Sequence, residues 1–225
     1  TGAIELERHL RHVETLACKI SASIGLQDRA GVLARAARWH DVGKAYKPFQ
    51  ELLGRSVDGP LLAKSKSKTP SEDRTRRAPR PPGFRRYFRH ELASALAFLD
   101  QHHGDPEADL AAFLIAAHHG KVRMGIRALP GETADPPDKR IARGVQDGDE
   151  LPQVRCGEEI SAGRILSLGL MDMGEDETGR PSWAARMQAL LGALGPFQLA
   201  YLEALLRVSD WRASAAERRE ELDDE

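Results

Sequence analysis

The sequence is poor in cysteine and in long apolar runs, and each shortage excludes a class of protein. Two cysteines, Cys18 and Cys156, lie far apart and imply no disulfide framework, which favours a reducing compartment. No apolar run approaches the length of a membrane span, and no charged and then apolar leader opens the chain. No Gly-x-x-x-x-Gly-Lys-Ser/Thr string is present, which excludes a P-loop ATPase motor. We therefore expect a soluble, cytoplasmic protein with no membrane partner.

The net charge of -1 hides an uneven distribution of charge. Between residues 64 and 89, ten lysines and arginines face only two acidic residues, Glu72 and Asp73. Prolines interrupt the same region, and residues 55–89 are therefore predicted to form one long irregular insertion. Residues 124–162, rich in proline, glycine and acidic groups, are predicted to form a second. Residues 163–173 could be a short hairpin arm or a helix, and the pattern does not decide between them.

Elsewhere, apolar residues recur every three or four positions, which is typical of helices that bury one face. Gly195-Pro196 is expected to break the last of these helical segments. We predict an all-α helical bundle that forms a single domain over residues 1–225, with two long irregular insertions and possibly a small β-hairpin. The predicted helices cover residues 4–24, 28–41, 49–53, 90–99, 110–117, 183–194 and 197–211.

Histidines and aspartates that could bind metal follow one another along these predicted helices. His40 and Asp41 close the second helix and begin the string His40-Asp41-Val42-Gly43-Lys44. If both are helical, their side chains point about 100° apart, so that His40 can bind one cation while the Asp41 carboxylate bridges it to another. The other expected ligands are His9 and Asp210 for the first cation, and His90, His118 and His119 for the second.

Such a site predicts the hydrolysis of phosphate esters. Two cations roughly 3.5 to 4 Å apart can share an activated hydroxide that attacks phosphorus, so that no side-chain nucleophile is needed. Mixed imidazole and carboxylate ligands suit Mn, Fe, Co, Ni or Zn better than Mg or Ca. We therefore expect two divalent transition-metal ions, with catalytic roles for the bridging Asp41 and for Lys44, which lies near enough to meet a phosphate.

Several of these assignments have competitors in the sequence. His12 competes with His9, but His9 shares the apolar stripe of its helix and is preferred. Asp172 is a weaker rival of Asp210 for the last ligand. The pair His102-His103 ends a helix, where solvated histidines complement the helix dipole. The acidic tail from Glu217 is expected to form a solvated face.

The basic stretch has two interpretations. It could be a charged, flexible linker that keeps the surface soluble, or a rim that attracts a polyanion to the metals. Aromatic residues among the cations could stack on the bases of a single strand. We favour the second interpretation and assign substrate binding to Arg85, Arg86 and Arg89.

On these residues the chain resembles the HD superfamily of metal-dependent phosphohydrolases. Within that superfamily it is most similar to the HD nuclease domain of the CRISPR-associated type I helicase-nuclease. The features that support the resemblance span nearly the whole chain. They are His9 with Val13, the segment 39–44 followed by Phe49-Gln50, His90-Glu91 with Ser94, Ala117-His118-His119-Gly120, and Ser209-Asp210-Trp211 with Ser214.

The resemblance implies a helical HD fold, a dinuclear transition-metal centre and cleavage of single-stranded DNA, as endonuclease or exonuclease, during antiviral interference. It also implies two partners: a helicase domain or subunit that feeds in the strand, and a CRISPR RNA-guided surveillance complex. The chain starts at Thr1 and ends abruptly in acidic residues, as expected of a piece excised from a larger helicase-containing protein. The same resemblance places Ser214 near the substrate and matches Lys44 to the lysine of the family's His-Asp motif.

Two other functions stay open at this point. An HD phosphohydrolase acting on nucleotides or cyclic dinucleotides would have a deep enclosed pocket and would act on mononucleotides. A catalytically inert HD module that binds nucleic acid or protein would bind no metal.

Overall fold

The computed structural model describes residues 3–65, 81–176 and 179–223, the last three of these without their side chains. Helices make up 51% of the described residues, and the strands among these residues occur only in small pairs, which confirms the predicted all-α fold. In this part of the chain, two short 3-10 helices cover Val42–Ala45 and Gly169–Met171. Its α-helices are α1 (Leu6–Ser23), α2 (Ala30–Trp39), α3 (Lys47–Leu53), α4 (His90–Gln101), α5 (Ala108–Ala117) and α6 (Trp183–Asp223).

Helices α4 and α5 lie at the centre of the bundle. Most residues of both are buried, including the run Leu92–Leu99 in α4 and all of α5 except Asp109. A helix that is apolar all round can be stable only when other elements cover every face. Helix α1, by contrast, buries one stripe, formed by Leu6, Leu10, Val13 and Ala17, and packs this stripe against α2 and α6.

Helix α6 is divided at Gly195, whose backbone (φ 75°, ψ 162°) is not helical. The break falls where Gly195-Pro196 predicted it, because glycine accepts positive φ and proline cannot continue the preceding hydrogen-bond ladder. Among the described residues, one helix, Trp183–Glu220, is long and apolar enough to cross a membrane by length and composition alone. Its second half buries Ser209 and Glu217.

Strand β1 (Ile4–Glu5) pairs antiparallel with β2 (Leu62–Lys64), which lies inside the first predicted insertion. The predicted first helix therefore begins two residues later than expected, at Leu6, whose N–H donates to the carbonyl of Leu61. Strand β2 is a correction to the expectation that residues 55–89 are irregular throughout. It places the Ala63 carbonyl within hydrogen-bond distance of Lys44 and the Lys64 ammonium beside Glu217.

The second predicted insertion contains short strands as well. Strands of two or three residues are too short for an alternating pattern to be visible in the sequence. Residues 163–173, left open above, contain a strand and then a 3-10 turn. The strands pair antiparallel as β3 (Ile141–Ala142) with β4 (Val145–Gln146), β5 (Glu150–Leu151) with β8 (Arg164–Ile165), and β6 (Val154–Cys156) with β7 (Glu159–Ser161).

The two insertions meet directly before α4. The backbone N–H of Arg89 donates to the carbonyl of Arg143 at 2.9 Å. The Arg85 guanidinium bonds the carbonyl of Gly144 and forms an ion pair with Asp149. These contacts fix the start of α4, and therefore the position of His90.

Candidate metal centre

Asp41 is buried at the point where α2 gives way to the following 3-10 helix. Its backbone (φ −110°, ψ 5°) is not helical, unlike that of His40. One carboxylate oxygen, Oδ1, lies 3.0 Å from Nε2 of His90 and 3.9 Å from Nε2 of His118. The other, Oδ2, lies 3.4 Å from Nε2 of His40 and 3.5 Å from Nε2 of His9. The two oxygens therefore face two different sets of imidazole nitrogens.

The side chains around Asp41 form two groups, each with ligand atoms within 4.8 Å of one another. One group is His9, His40 and Asp41, and the other is Asp41, His90, His118 and His119. Asp210 lies beside the first group, with Oδ1 3.3 Å from Nε2 of His9. The structure thus brings together all seven residues that the sequence analysis assigned as metal ligands.

His40 and His118 are oriented by the helices that they follow. Each lies directly after the last residue of its helix, α2 or α5. The Nδ1 atoms donate to the carbonyls of Ala37 and Ile115, at 2.7 and 2.6 Å. These carbonyls belong to the last helical turn, where the backbone supplies no intrahelical donor. The hydrogen bonds assign the proton to Nδ1, so that the Nε2 lone pair points towards Asp41.

The other two imidazoles lie closer to the surface. His90 begins α4 and is partly buried, and His119 is exposed. Their Nε2 atoms are 3.2 Å apart. The group that contains them therefore opens to solvent, whereas His9 and His40 are fully buried.

Buried atoms without hydrogen bonds show that the site fits a cation. In the part of the chain that the structure describes, Nε2 of His9, His40 and His118 and Oδ1 of Asp41 make no hydrogen bond of acceptable geometry. A buried polar group left unpaired costs about 1–3 kcal/mol. Four such atoms converge here, and each can offer a lone pair to a cation once His9 has lost its second proton. Nitrogen and oxygen ligands of this kind suit divalent transition metals.

The electrostatics of the two groups differ. Burial lowers the pKa of His9, but the carboxylates of Asp210, Asp41 and Glu217 outweigh it and raise that pKa to about 10. Burial, together with the nearby His119 and His40, holds the pKa of His118 well below its usual value.

The shared carboxylate is held ionised despite its burial. Burial raises the pKa of Asp41, but the Lys44 ammonium and the neighbouring imidazoles of His40 and His90 outweigh burial and hold that pKa well below its usual range. The centre of the site is therefore a carboxylate at any physiological pH.

Gly43 explains the close approach of the motif to α4. A Cβ atom at this position would lie far inside contact distance of the His90 carbonyl oxygen, and 2.9 Å from Cβ of Ala93. The Gly43 N–H donates to Oγ of Ser94 at 2.8 Å. Only glycine can bring the turn that contains Asp41 this near to His90.

Lys44 and Gln50 connect this turn to β2. The Nζ atom of Lys44 lies 2.6 Å from Oδ2 of Asp41 and donates to the Ala63 carbonyl at 3.2 Å. The Gln50 amide donates to the carbonyls of Lys44 and Leu62, and its oxygen accepts the Leu62 N–H. Gln50 entered the sequence analysis only as part of the family resemblance. In the structure it links the Lys44 backbone to β2 by hydrogen bonds.

Glu217 and Lys64 are parts of the site that the sequence analysis missed. The expectation of a solvated acidic tail was wrong for Glu217, which is fully buried and accepts the Nδ1–H of His9. Lys64 lies 2.9 Å from Oε2 of Glu217. A signal was present, because Glu217 follows Asp210 by seven residues and so shares its helix face. His12 contacts Glu217 at 3.3 Å, and the structure places His9 beside Asp41.

The remaining assigned residues lie in varied surroundings. Asp172 is exposed and pairs with Arg140, apart from the two groups. His102 is partly buried and contacts Glu159 at 2.5 Å, so the expectation of a solvated side chain was wrong for it. His103 is exposed, as predicted.

The basic residues before α4 also differ from one another. Arg85 is occupied by its ion pair with Asp149, Arg89 is partly buried, and Arg86 is exposed with its guanidinium over the Tyr87 ring. Six further cations of the basic stretch, Lys66, Lys68, Arg74, Arg76, Arg77 and Arg80, lie outside the described residues.

A family model described as "Cas3, HD domain" matches residues 3–218. The matched range contains every residue of the two groups and Glu217. No match was found among curated proteins or among solved structures.

Proposed function

From the premise that the chain belongs to the Cas3 HD domain family, a family of metal-dependent HD-type nucleases in CRISPR, we propose that it cleaves single-stranded DNA at a pair of divalent cations. HD domains bind divalent metals. The observation that supports a pair is the position of Asp41, whose two oxygens face two separate sets of imidazoles. One carboxylate can then belong to both sites.

The residues divide between two proposed cation sites. The seven ligands are five imidazoles and two carboxylates, a set that favours Mn, Fe, Co or Ni over Mg. The first site is the more buried, and the second opens to solvent through His119. The proposed ligands are His9, His40, Asp41 and Asp210 for the first cation, and Asp41, His90, His118 and His119 for the second.

Bound cations would supply Lewis acidity for the phosphoryl group and would lower the pKa of water at neutral pH. The residues of the chain supply the rest. Asp41 stays ionised and holds its oxygens in place, and Lys44 is placed to bind a phosphate oxygen as a point charge. His119 and His90 leave the second group open to an incoming strand.

Single-stranded DNA is the proposed substrate because exposed cationic and aromatic side chains shortly precede His90 in the chain. Arg86 and Tyr87 are exposed four and three residues before His90. A cation that binds the backbone and a ring that stacks on a base are the usual elements of single-strand binding. Arg89, which directly precedes His90, and Ser214, whose hydroxyl donates to Asp210, are retained as proposed substrate contacts.

The partners follow from the family and complete the proposal. A helicase domain or subunit would deliver the strand, in association with a CRISPR RNA-guided surveillance complex. We propose that residues 1–225 form one nuclease domain, that the motor lies on another domain or subunit, and that the protein acts in the cytoplasm.

The test combines metal analysis with DNA cleavage. The full chain is stripped with a chelator, reloaded with Mn²⁺, Fe²⁺, Co²⁺, Ni²⁺, Zn²⁺ or Mg²⁺ in turn, and incubated with end-labelled linear and circular single-stranded DNA. We expect two bound ions per chain and cleavage with the transition metals. Asp41→Ala should abolish both while the circular dichroism spectrum stays unchanged, and His103→Asn serves as the control.

Three outcomes would contradict the proposal. Undiminished cleavage by Asp41→Ala with added Mn²⁺ would exclude the bridging carboxylate. Hydrolysis of mononucleotides or cyclic dinucleotides but not of long strands would replace the nuclease by a nucleotide phosphohydrolase. A chain that binds none of the six ions would be an inert binding module.

A further inference from the structure

His9 differs from the other two buried histidines in how it is oriented. His40 and His118 each donate Nδ1–H to a carbonyl three residues earlier, in the last turn of a helix. His9 lies inside the first turns of α1, where the backbone carbonyls already accept N–H groups four residues ahead. Its Nδ1–H therefore needs an acceptor from elsewhere in the chain.

That acceptor is Glu217. Its two carboxylate oxygens lie 2.9 and 3.0 Å from Nδ1 of His9, and the Glu217 side chain is fully buried. With one proton held on Nδ1, Nε2, which lies 3.3 Å from Oδ1 of Asp210, is the nitrogen that can give up its proton and bind a cation. Metal-binding histidines commonly donate their second N–H to a carboxylate, which sets both the tautomer and the ring orientation.

Lys64 holds Glu217 in turn. Its ammonium lies 2.9 Å from Oε2 of Glu217 and donates to Oγ of Ser214 at 2.6 Å. A buried carboxylate is tolerated when a cation pairs with it and hydrogen bonds satisfy its oxygens. Here the cation is supplied by β2 and the carboxylate by α6, so the contact also ties these two elements together.

The same contacts reach Asp210. The Ser214 hydroxyl, which accepts from Lys64, donates to Oδ1 of Asp210 at 3.1 Å. Asp210, Ser214 and Glu217 are spaced by four and three residues and so lie on one face of α6. One network of hydrogen bonds and charge therefore orients both His9 and Asp210, although these two residues come from different helices.

We propose that Glu217, held by Lys64, is the positioning residue of the first cation site, where it fixes the tautomer and direction of His9. The proposal rests on the proposed function in one respect: it takes His9, His40, Asp41 and Asp210 as the ligands of a cation. Glu217 itself touches neither the cation nor the substrate.

The test compares Glu217→Gln with wild-type protein in the full chain. Glutamine keeps the shape and one acceptor oxygen but loses the charge that strengthens the His9 hydrogen bond. Titration with Mn²⁺ by calorimetry, and with Co²⁺ by visible absorption, should show the affinity of one site reduced about 10- to 100-fold and the other unchanged. Nitrogen-15 spectra of the Zn²⁺-loaded protein should show a shifted signal for the His9 Nδ1–H, because its acceptor is no longer a charged carboxylate.

Two further variants make the test decisive. Glu220→Gln, three residues later on the same helix, removes a carboxylate that pairs with exposed Arg8 and should leave both metal affinities unchanged. Lys64→Gln removes the countercharge of Glu217 and should weaken the same site as Glu217→Gln. It decides the question if Glu217→Gln does not fold.

The results separate the two proposals. Two cations bound with wild-type affinity by both Glu217→Gln and Lys64→Gln would overturn the positioning role and leave the nuclease function intact. A wild-type chain that binds no Mn²⁺ or Co²⁺ would instead overturn the proposed function. A fall in thermal stability with unchanged metal affinity would show that Glu217 is only structural and would also overturn its positioning role.

Discussion

The Nζ atom of Lys44 lies 2.6 Å from Oδ2 of Asp41, a carboxylate that is almost completely buried. The lysine therefore neutralises the same oxygen that the first cation would bind. A cation at this oxygen competes with the ammonium, and the ammonium is then free to meet a phosphate. Lys44 should accordingly have opposite effects on metal binding and on cleavage.

Lys44→Gln tests this relationship. Removal of the ammonium should tighten cation binding about fivefold, because it relieves like-charge repulsion of about 1 kcal/mol. The same change should slow DNA cleavage about 10- to 100-fold, because a phosphate contact is lost. Calorimetry and single-turnover cleavage measure the two effects, and Lys47→Gln, an exposed lysine in the next turn, is the control. Parallel losses of binding and cleavage would instead make Lys44 a structural support.

Gly43→Ala should destabilise the fold and the site together. The added methyl group would meet the His90 carbonyl oxygen and Cβ of Ala93, and overpacking of this kind costs about 1–3 kcal/mol. Gly31→Ala in α2 is the matched control, because open space surrounds its Cβ position and alanine favours helix by about 0.5–1 kcal/mol. The midpoint of urea unfolding should therefore fall for Gly43→Ala and rise for Gly31→Ala. Equal midpoints would contradict the close approach at Gly43.

The stability of the metal-free protein should fall at alkaline pH. Burial lowers the pKa of His9, but the neighbouring carboxylates outweigh this and raise it from 6.5 to about 10. Because the pKa is higher in the folded state, protonation of His9 stabilises the fold fully below about pH 6.5. This contribution is lost as the pH rises towards 10. Thermal unfolding in the presence of chelator, recorded as a function of pH, measures this contribution. His9→Asn should reduce the pH dependence of the melting temperature.

Cation binding should release a proton from His9. The imidazole must be neutral to bind a metal, whereas at pH 8 the metal-free protein holds His9 protonated. Mn²⁺ titrations in two buffers of different ionisation enthalpy should show release of about one proton per chain from this residue. His103→Asn should leave that number unchanged and His9→Asn should lower it. If wild type, His103→Asn and His9→Asn all released the same number of protons, the proton would come from another group.

Neighbouring arginines Arg85 and Arg86 should have different roles. Arg86 is exposed, so Arg86→Ala should weaken single-strand binding and lower the slope of its salt dependence by about 1, without a change in melting temperature. Arg85 pairs with Asp149, whose side chain is 6% exposed. Arg85→Ala should therefore cost about 1–3 kcal/mol of folding stability, because a nearly buried carboxylate loses its partner. Fluorescence anisotropy and thermal melts measure the two effects.

The helical scaffold and the order of the metal-binding residues could be predicted from the sequence, because both are written in local patterns. Apolar spacing marks the buried stripe of α1, and Gly195-Pro196 marks the break in α6, where the backbone is observed to leave the helix. His40 and His118 follow the last residues of their helices, where their own backbone orients them. No distant residue had to be known for these features.

Glu217, Lys64 and the short strands were decided by tertiary structure alone. Glu217 stands in an acidic tail and Lys64 at the edge of a basic, proline-rich stretch, so local composition indicated solvent for both. Glu217 is buried, and Lys64 partly so, because a carboxylate from α6, an imidazole from α1 and an ammonium from β2 satisfy one another. A charged group leaves water only when distant segments supply its partners, and no local pattern records which segments will meet.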